Sequence, residues 1–255
     1  DAPFEERRTN AIRNRSWADP GEAKDFSLLD EEAIARVREE AWPYINNVEE
    51  FHDALCSLAY MSEAEFTADK AYQRWHQVLL DAGRILHLSE LPKAIWIATE
   101  KLGFFFAVYP QLESLRDSPR IPEFILEQQW DRQDALREIV RSRLECLGPI
   151  RPQQLADELD LEVSDIDLAL ISLEVEGFAF QGQFTQHARK HRVDAEPVIE
   201  WCERRLLQRI HRYTIDAHRK SIKPVSLQTY TEFLFDAHGL VEVSDPASMP
   251  SPTRE

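Results

Sequence analysis

The positive charge of this chain is concentrated between His187 and Lys223. That stretch holds ten Lys and Arg against five Asp and Glu, which gives +5; since the whole chain carries −16, the remainder carries −21. Within it, Arg205, Arg209 and Arg212 recur at i, i+4 and i+7 and would share one face of a helix. Such a row could neutralise consecutive phosphates of a nucleic acid. The competing interpretation is that these arginines pair with acidic surfaces elsewhere in the chain.

Further candidate contacts flank this row. The predicted phosphate-binding cations are completed by Arg204, Lys220, Arg189 and Lys190. Two tryptophans, Trp96 and Trp201, are the candidates for stacking on the bases of a single strand, because one lies in a predicted hairpin and the other beside the basic helix. The competing interpretation is that each ring anchors the core of its own unit.

The chain has no self-contained set of catalytic residues. It contains no Gly-x-x-x-x-Gly-Lys-Ser/Thr phosphate loop, no Gly-x-Gly-x-x-Gly turn, no His-Glu-x-x-His and no nucleophile elbow. His187 and His191 are four residues apart, but Arg189 and Lys190 between them disfavour a cation. We therefore predict no catalytic residue, no metal and no cofactor in this chain.

The cysteine content and hydropathy favour a cytoplasmic protein. The three cysteines are far apart in sequence and show no zinc-ligand spacing, which is typical of buried thiols in a reducing compartment. No apolar run approaches the roughly 18 residues of a membrane span, so no membrane association is expected. The chain begins Asp-Ala-Pro rather than Met, which predicts a fragment of a longer protein.

The elements that would position these residues are short helices followed by small hairpins. Between residues 132 and 184, apolar spacing, Gly148-Pro149, Pro152 and Gly177 predict three helices, then a strand at 178–180, a turn at 181–183 and a returning strand at Phe184. Three short helices and a hairpin in this order predict a winged helix.

The same order of elements occurs earlier in the chain. Helices capped by Asp30, Asn47 and Ser62 precede two strands, at 84–88 and 94–98. A long helix from Val198 and a further one capped by Ser226 resemble the start of a third unit. We predict a mainly α fold with small β-hairpins and tandem winged-helix units, divided as follows: 1–29 entry segment, 30–98 winged helix, 99–130 connector, 131–185 winged helix, 186–244 basic linker and partial third unit, 245–255 disordered tail.

The third helix of the central unit does not suit DNA reading. From Ser164 to Glu176 it has no Lys or Arg, and its charged residues are Asp165, Asp167, Glu174 and Glu176. Phosphates would repel such a helix, so we exclude base readout by it in the major groove. This argues against a stand-alone transcription regulator and favours use of the fold as a packing module.

Several segments resemble the large helicase-related (Lhr) family of superfamily 2 DNA helicases. The most specific is Glu200-Trp-Cys-Glu-Arg-Arg-Leu-Leu-Gln-Arg-Ile-His-Arg-Tyr-Thr214, followed by Pro224-Val-Ser226. Others are Asp1-Ala-Pro-Phe-Glu-Glu-Arg-Arg8, Leu144-Glu-Cys-Leu-Gly-Pro149 and Glu174-Val-Glu-Gly-Phe178. The resemblance extends to about Phe235. After it, a Pro-rich end replaces the β-barrel that the family places there.

The resemblance implies a region downstream of two motor domains. The parent would hydrolyse ATP with Mg²⁺, translocate 3′ to 5′ on single-stranded DNA, and unwind duplexes, RNA:DNA hybrids included, in DNA repair. This chain would contact the motor domains of the same polypeptide and guide the strand as an accessory winged-helix module, without ATPase activity of its own. The alternative left open is a structural or protein-interaction module that does not bind DNA directly.

Overall fold

A computed structural model describes residues 29–117, 121–185, 198–222 and 224–238. The described residues are mainly helical, with two small antiparallel sheets, which confirms the predicted fold class at that level. They divide into two compact units, and the boundary along the chain lies between Thr214 and Ile215. No described helix combines the length and apolarity needed to cross a bilayer.

The first half of the chain begins with a helix and continues into a small three-stranded sheet with its own helices. Its elements are α1 (Glu31–Ala41), α2 (Val48–Leu58), β1 (Met61–Ser62), α3 (Glu63–Ala68), α4 (Tyr72–Asp81), β2 (Ile85–Leu88), β3 (Ile95–Ala98), a 3₁₀ turn (Thr99–Lys101), α5 (Leu102–Val108) and a 3₁₀ helix (Pro110–Asp117). The predicted caps are confirmed: the side chains of Asp30, Asn47 and Ser62 accept hydrogen bonds from the first turns of α1, α2 and α3. The sheet order is β1–β3–β2.

The second half repeats this order of elements around a longer first helix. Its elements are α6 (Glu123–Leu126), α7 (Arg132–Leu147), α8 (Pro152–Leu159), α9 (Val163–Val175), β4 (Ala179–Gly182), β5 (Glu200–Glu203), α10 (Arg204–Ser221) and α11 (Leu227–Ala237). Ile150, between α7 and α8, pairs with Trp201 of β5, and β5 pairs with β4. The strand order is therefore the same as in the first sheet, counted from Ile150.

The predicted returning strand at Phe184 is wrong, and so is the start of the helix predicted from Val198. The partner of β4 is β5, and α10 begins only at Arg204. The Phe184 ring is buried against α1 and α10, and the Glu200 carboxylate accepts hydrogen bonds from the backbone N–H groups of Phe184 (2.9 Å) and Thr185 (2.8 Å). These contacts lie just after the end of β4, and they connect Phe184 and Thr185 to Glu200, the first residue of β5.

The helix predicted to be capped by Ser164 begins earlier, and Ser164 lies within its first turn. Its first residue is Val163, and its N-cap residue is Glu162, which makes no side-chain capping hydrogen bond. Helix α11 is capped by Ser226, as predicted. None of the residues of α11 is buried, so this helix, in the unit that begins at Ile215, packs against no core among the described residues.

Three apolar clusters hold the first unit together. The largest lies among α5, α7, α8 and α9, and a second lies between the first sheet and α2, α3 and α4. The third joins Ala33, Ile34 and Val37 of α1 to Phe184 and the start of α10. Helix α1, which the sequence grouped with the elements up to residue 98, therefore packs on later elements. The backbone N–H of Asp30 donates to the hydroxyl of Thr214 (3.0 Å) at that contact.

A fully buried arginine connects the two strand-containing halves. Arg143 of α7 is 0% exposed. Its guanidinium donates to the Glu65 carboxylate (2.6 Å), to the Tyr60 carbonyl (3.3 Å) and to Glu158 (3.4 Å), whose carboxylate also accepts from the Tyr60 hydroxyl (2.7 Å). Burial raises the pKa of Tyr60 well above its usual value, so the phenol stays protonated and donates.

Candidate nucleic-acid interface

Helix α10 places the predicted arginine row on the surface. The Glu203 carboxylate accepts from the backbone N–H of Leu206 (2.8 Å) and satisfies a free donor in the first turn. Leu206, Leu207, Ile210 and Thr214 are buried on the inner face. The arginines at 205, 209 and 212 consequently lie toward the outer side of this strongly amphipathic helix.

Two of the three arginines have no acidic partner among the described residues. Arg205 and Arg212 are exposed, and no described carboxylate lies within 4 Å of either. Arg204 is half-buried, and it too has no described carboxylate within 4 Å. The Arg212 guanidinium lies over the Tyr213 ring, 5.4 Å from its centroid. These groups are therefore available to an external anion.

Arg209 is engaged by an acidic residue from another helix. Its guanidinium is 2.6 Å from the Glu40 carboxylate of α1. Glu40 also accepts from Arg36 Nε (2.8 Å) and from the Tyr213 hydroxyl (3.0 Å). The hydrogen bond from Arg36, and after it the one from Arg209, lowers the pKa of Glu40 to about 2. Each of the two interpretations of the row therefore applies to part of it. Arg209 pairs with an acidic residue, whereas Arg205 and Arg212 have no acidic partner among the described residues.

Three further cations were predicted as contacts. Lys220 is exposed near the end of α10, in the second unit. Arg189 and Lys190 lie outside the described residues.

The two predicted stacking tryptophans are buried. Trp96 is 6% exposed, and its ring stacks on Phe66 (4.5 Å between centroids) and on His87 (4.3 Å). Trp201 is 4% exposed and belongs to the main core. Both positions match the alternative interpretation, in which each ring anchors its own unit. Neither ring presents a free face to a base in this conformation.

A cleft of about 740 Å³ lies beside the start of α10, between α7 and the turn from α9 into β4. Its charged lining comprises Arg141, Glu145, Glu176, Arg204, Arg205 and Arg209, together with Glu203. Arg141 is a residue that sequence reasoning missed. It belongs to a helix with many mixed charges, and only the fold brings it opposite the basic start of α10.

Helix α9 has an exposed apolar row in place of the cations of a DNA-reading helix. Leu168, Ile171 and Val175 are 53%, 49% and 84% exposed and recur at i, i+3 and i+7. The acidic side chains are partly paired, Asp165 with Arg132 at 2.7 Å and Glu176 with Arg141. This arrangement does not suit a phosphate-lined groove.

A cluster of His52, Cys56 and Glu100 brings three potential metal ligands within 4.8 Å of one another. The expectation that the cysteines show no zinc-ligand spacing overlooked His52, which precedes Cys56 by one helical turn. Arg84 lies 2.9 Å from His52 Nδ1, and since an arginine only donates, Nδ1 accepts and Nε2 carries the proton that it donates to Glu100 (3.2 Å). A metal on Nε2 would move that proton to Nδ1, against the guanidinium. Burial also raises the pKa of Cys56 to about 11, so the cluster does not suit a metal.

Comparison with known proteins gives no assignment. No model of a protein family matches the chain, and no curated protein matches it significantly. The resemblance to the large helicase-related family stays an expectation from the residues quoted above.

Proposed function

We propose that this chain is an accessory, non-motor module of an ATP-dependent 3′–5′ DNA helicase resembling the large helicase-related family, and that it guides single-stranded DNA, or the strand of an RNA:DNA hybrid, during unwinding in DNA repair. The observation that carries this proposal is the row on α10, where Arg205 and Arg212 are exposed without acidic partners in the described part of a chain that is strongly acidic overall. Exposed guanidinium groups without acidic partners bind phosphate bidentately.

In this proposal each half of the first unit is a winged helix. Two observations support it: both halves follow the order helix, strand, helix, helix, strand, strand, and in both the last strand lies between the other two. The segment between β2 and β3 would be the wing of the first half. Binding would not read bases, because α9 has no cation to offer.

ATP, Mg²⁺ and the chemical step belong, in this proposal, to motor domains of the same cytoplasmic polypeptide. The chain has no phosphate loop to hold a triphosphate. Its contribution would be to hold the strand while the motor advances.

The test is a salt titration of binding to a single-stranded oligo-dT. Replacing Arg205 and Arg212 with Gln keeps helix propensity and removes two phosphate contacts, so the slope of log K against log salt falls by about 0.7 per residue, or about 1.4 in all. The matched control is Arg74→Gln, an exposed arginine on α4 that removes one charge far along the chain from α10. An unchanged slope together with a lowered melting temperature would show that the row is structural.

A second function, protein interaction without direct DNA binding, is favoured by one specific observation. The exposed row of Leu168, Ile171 and Val175 lies on the helix that a winged-helix protein usually presents to DNA. Large apolar side chains grouped on a surface are characteristic of protein contacts. This function predicts that the chain shows no single-strand affinity at any salt concentration, which the same titration decides.

A further inference from the structure

The cleft beside α10 collects guanidinium groups from two helices onto one concave surface. Arg204, Arg205 and Arg209 come from the first two turns of α10, and Arg141 comes from α7. Its volume of about 740 Å³ lies in the range of about 300–1,000 Å³ found for small-ligand sites. Gly177 lies in the turn from α9 into β4, which lines the cleft. No atom lies within 4 Å of the position that a Cβ would take, so the backbone of Gly177 is accessible to a ligand.

The cleft also contains carboxylates, and one of them, Glu176, is engaged with Arg141. Arg141 donates from one terminal nitrogen to the Glu176 carboxylate and from Nε to Glu138 (3.2 Å), while its guanidinium lies 4.8 Å from the centroid of the Phe178 ring. The other oxygen of Glu176 is 3.4 Å from Arg137 Nε. The hydrogen bond from Arg141 lowers the pKa of Glu176, so this carboxylate is charged at neutral pH.

The four arginines consequently differ in how they are engaged. Arg204 and Arg205 have no described acidic partner, whereas Arg141 and Arg209 are held by carboxylates that are 39% and 32% exposed, Glu176 and Glu40. Carboxylates that exposed are accessible to solvent and can be replaced by a competing anion at small cost. A phosphate diester is such an anion, and it accepts the same bidentate geometry from arginine.

We propose that this cleft is the subsite for a backbone phosphate of the bound strand, and that Glu176 is an internal counter-ion which the phosphate displaces from Arg141. This inference rests on the proposed single-strand binding and deepens it. It adds a contact on α7 that the α10 row lacks, and it makes affinity depend on a carboxylate as well as on the arginines. No bond is made or broken; one anion replaces another on the guanidinium.

The experiment measures oligo-dT binding by Glu176→Gln and Arg141→Gln, with wild type, Arg74→Gln and Glu162→Gln beside them. Glu162 precedes α9 and is exposed with no described ion pair, so its variant controls for the loss of one carboxylate. We expect Glu176→Gln to bind about three- to tenfold more tightly and Arg141→Gln about three- to tenfold more weakly, with a salt slope lower by about 0.7. Glu162→Gln and Arg74→Gln should stay close to wild type. Inorganic pyrophosphate should compete with the oligonucleotide in wild type and less in Arg141→Gln.

The outcomes separate this inference from the proposed function. If wild type binds and Arg212→Gln, which lies outside the cleft lining, weakens binding, but Glu176→Gln matches Glu162→Gln and Arg141→Gln matches Arg74→Gln, the cleft is not the subsite and the proposed function stands. Absence of wild-type binding overturns both. Because Arg141→Gln could disturb folding, melting temperatures are compared and Arg141→Lys is included. Lys keeps the charge, so recovery of the salt slope by Arg141→Lys supports a phosphate contact, and no recovery at an unchanged melting temperature contradicts it.

Discussion

Glu40 is the acceptor of three side chains that come from two helices distant in sequence. Arg36 lies on the same helix, while Arg209 and Tyr213 come from α10. The carboxylate therefore links α1 to α10 at the edge of the proposed interface, and it withdraws Arg209 from solvent anions. The charge state of this one residue affects both folding and the number of available cations.

The first prediction is a change in the acid response when Glu40 becomes Gln. The folded-state pKa is lowered from 4.5 to about 2, so this group contributes stability above pH 4.5 that is lost as the pH falls toward 2. The free energy of unfolding, measured with urea, should therefore fall more steeply between pH 4.5 and 2 for wild type than for Glu40→Gln. The control is Glu39→Gln, an exposed neighbour without a described ion pair. Parallel curves for wild type and Glu40→Gln would contradict the assignment.

The second prediction concerns the buried guanidinium of Arg143. Replacement by Met removes the cation and its hydrogen bonds to Glu65, Glu158 and the Tyr60 carbonyl. Breaking a buried pair on one side costs about 3–5 kcal/mol, and urea unfolding at neutral pH measures it. Adding Glu65→Gln to Arg143→Met should recover part of the loss, because it removes one unpaired charge. A loss no larger than that of the exposed Arg74→Met would show that the network contributes little.

At the scale of elements, the two faces of α9 are expected to contribute differently to folding stability. Leu170 and Leu173 are fully buried, whereas Leu168, Ile171 and Val175 are about half to mostly exposed. The inner face is therefore part of the core, and the outer face is an apolar surface that contributes little to folding.

The third prediction compares the two faces. Changing Leu168, Ile171 and Val175 together to Ser should change the unfolding free energy by less than about 1.5 kcal/mol, since each position is a surface one. The single change Leu170→Ala should cost about 2–5 kcal/mol through the lost burial and the cavity. Single-strand binding by the triple variant should equal that of wild type. Weakened binding at unchanged stability would give α9 a direct part in DNA contact.

Local signals predicted most helix starts but not the strand pairing. Asp30, Asn47, Ser62 and Ser226 cap the helices they were expected to cap, because capping depends on residues within one turn. The pairing of β4 with β5 could not be predicted in the same way. It joins residues on either side of a long polar segment, and the sequence shows only that Phe184 is apolar, not that its ring lies against α1.

The spacing of the arginines predicted the candidate site, but the sequence could not predict which of them form ion pairs. Helical periodicity placed Arg205, Arg209 and Arg212 on one face, and α10 confirms that they lie on one helix. The partner of Arg209 is Glu40, which is remote in sequence, and no local pattern distinguishes Arg209 from Arg205. The same holds for Arg141, whose place in the cleft depends on how α7 packs against the sheet.

At the scale of the whole molecule, the net charge of −16 decides how any strand contact behaves. The acidic remainder repels a polyanion at long range, so binding must depend on a few close contacts at the start of α10. Added salt screens the repulsion and the attraction together. The salt dependence should therefore be smaller than for a basic protein with the same number of arginine–phosphate contacts.

The fourth prediction is that the isolated chain does not hydrolyse ATP. Without a phosphate loop, no phosphate release above buffer is expected, with or without single-stranded DNA. The measurement is a phosphate-release assay on a preparation whose oligo-dT binding has been verified, so that a silent result is not due to misfolding. DNA-stimulated hydrolysis that survives further purification and scales with the amount of chain would contradict it.

Arg143 limits how this protein can be divided. The guanidinium belongs to α7, whereas Tyr60 and Glu65 lie in the other half, so a cut between α6 and α7 would separate a cation from most of its partners. A half transplanted into a different protein would carry either Arg143 with Glu158 as its one described carboxylate, or Glu65 without its guanidinium. Recombination that separates the two halves is therefore disfavoured here, and they are expected to be inherited, exchanged and expressed as one block.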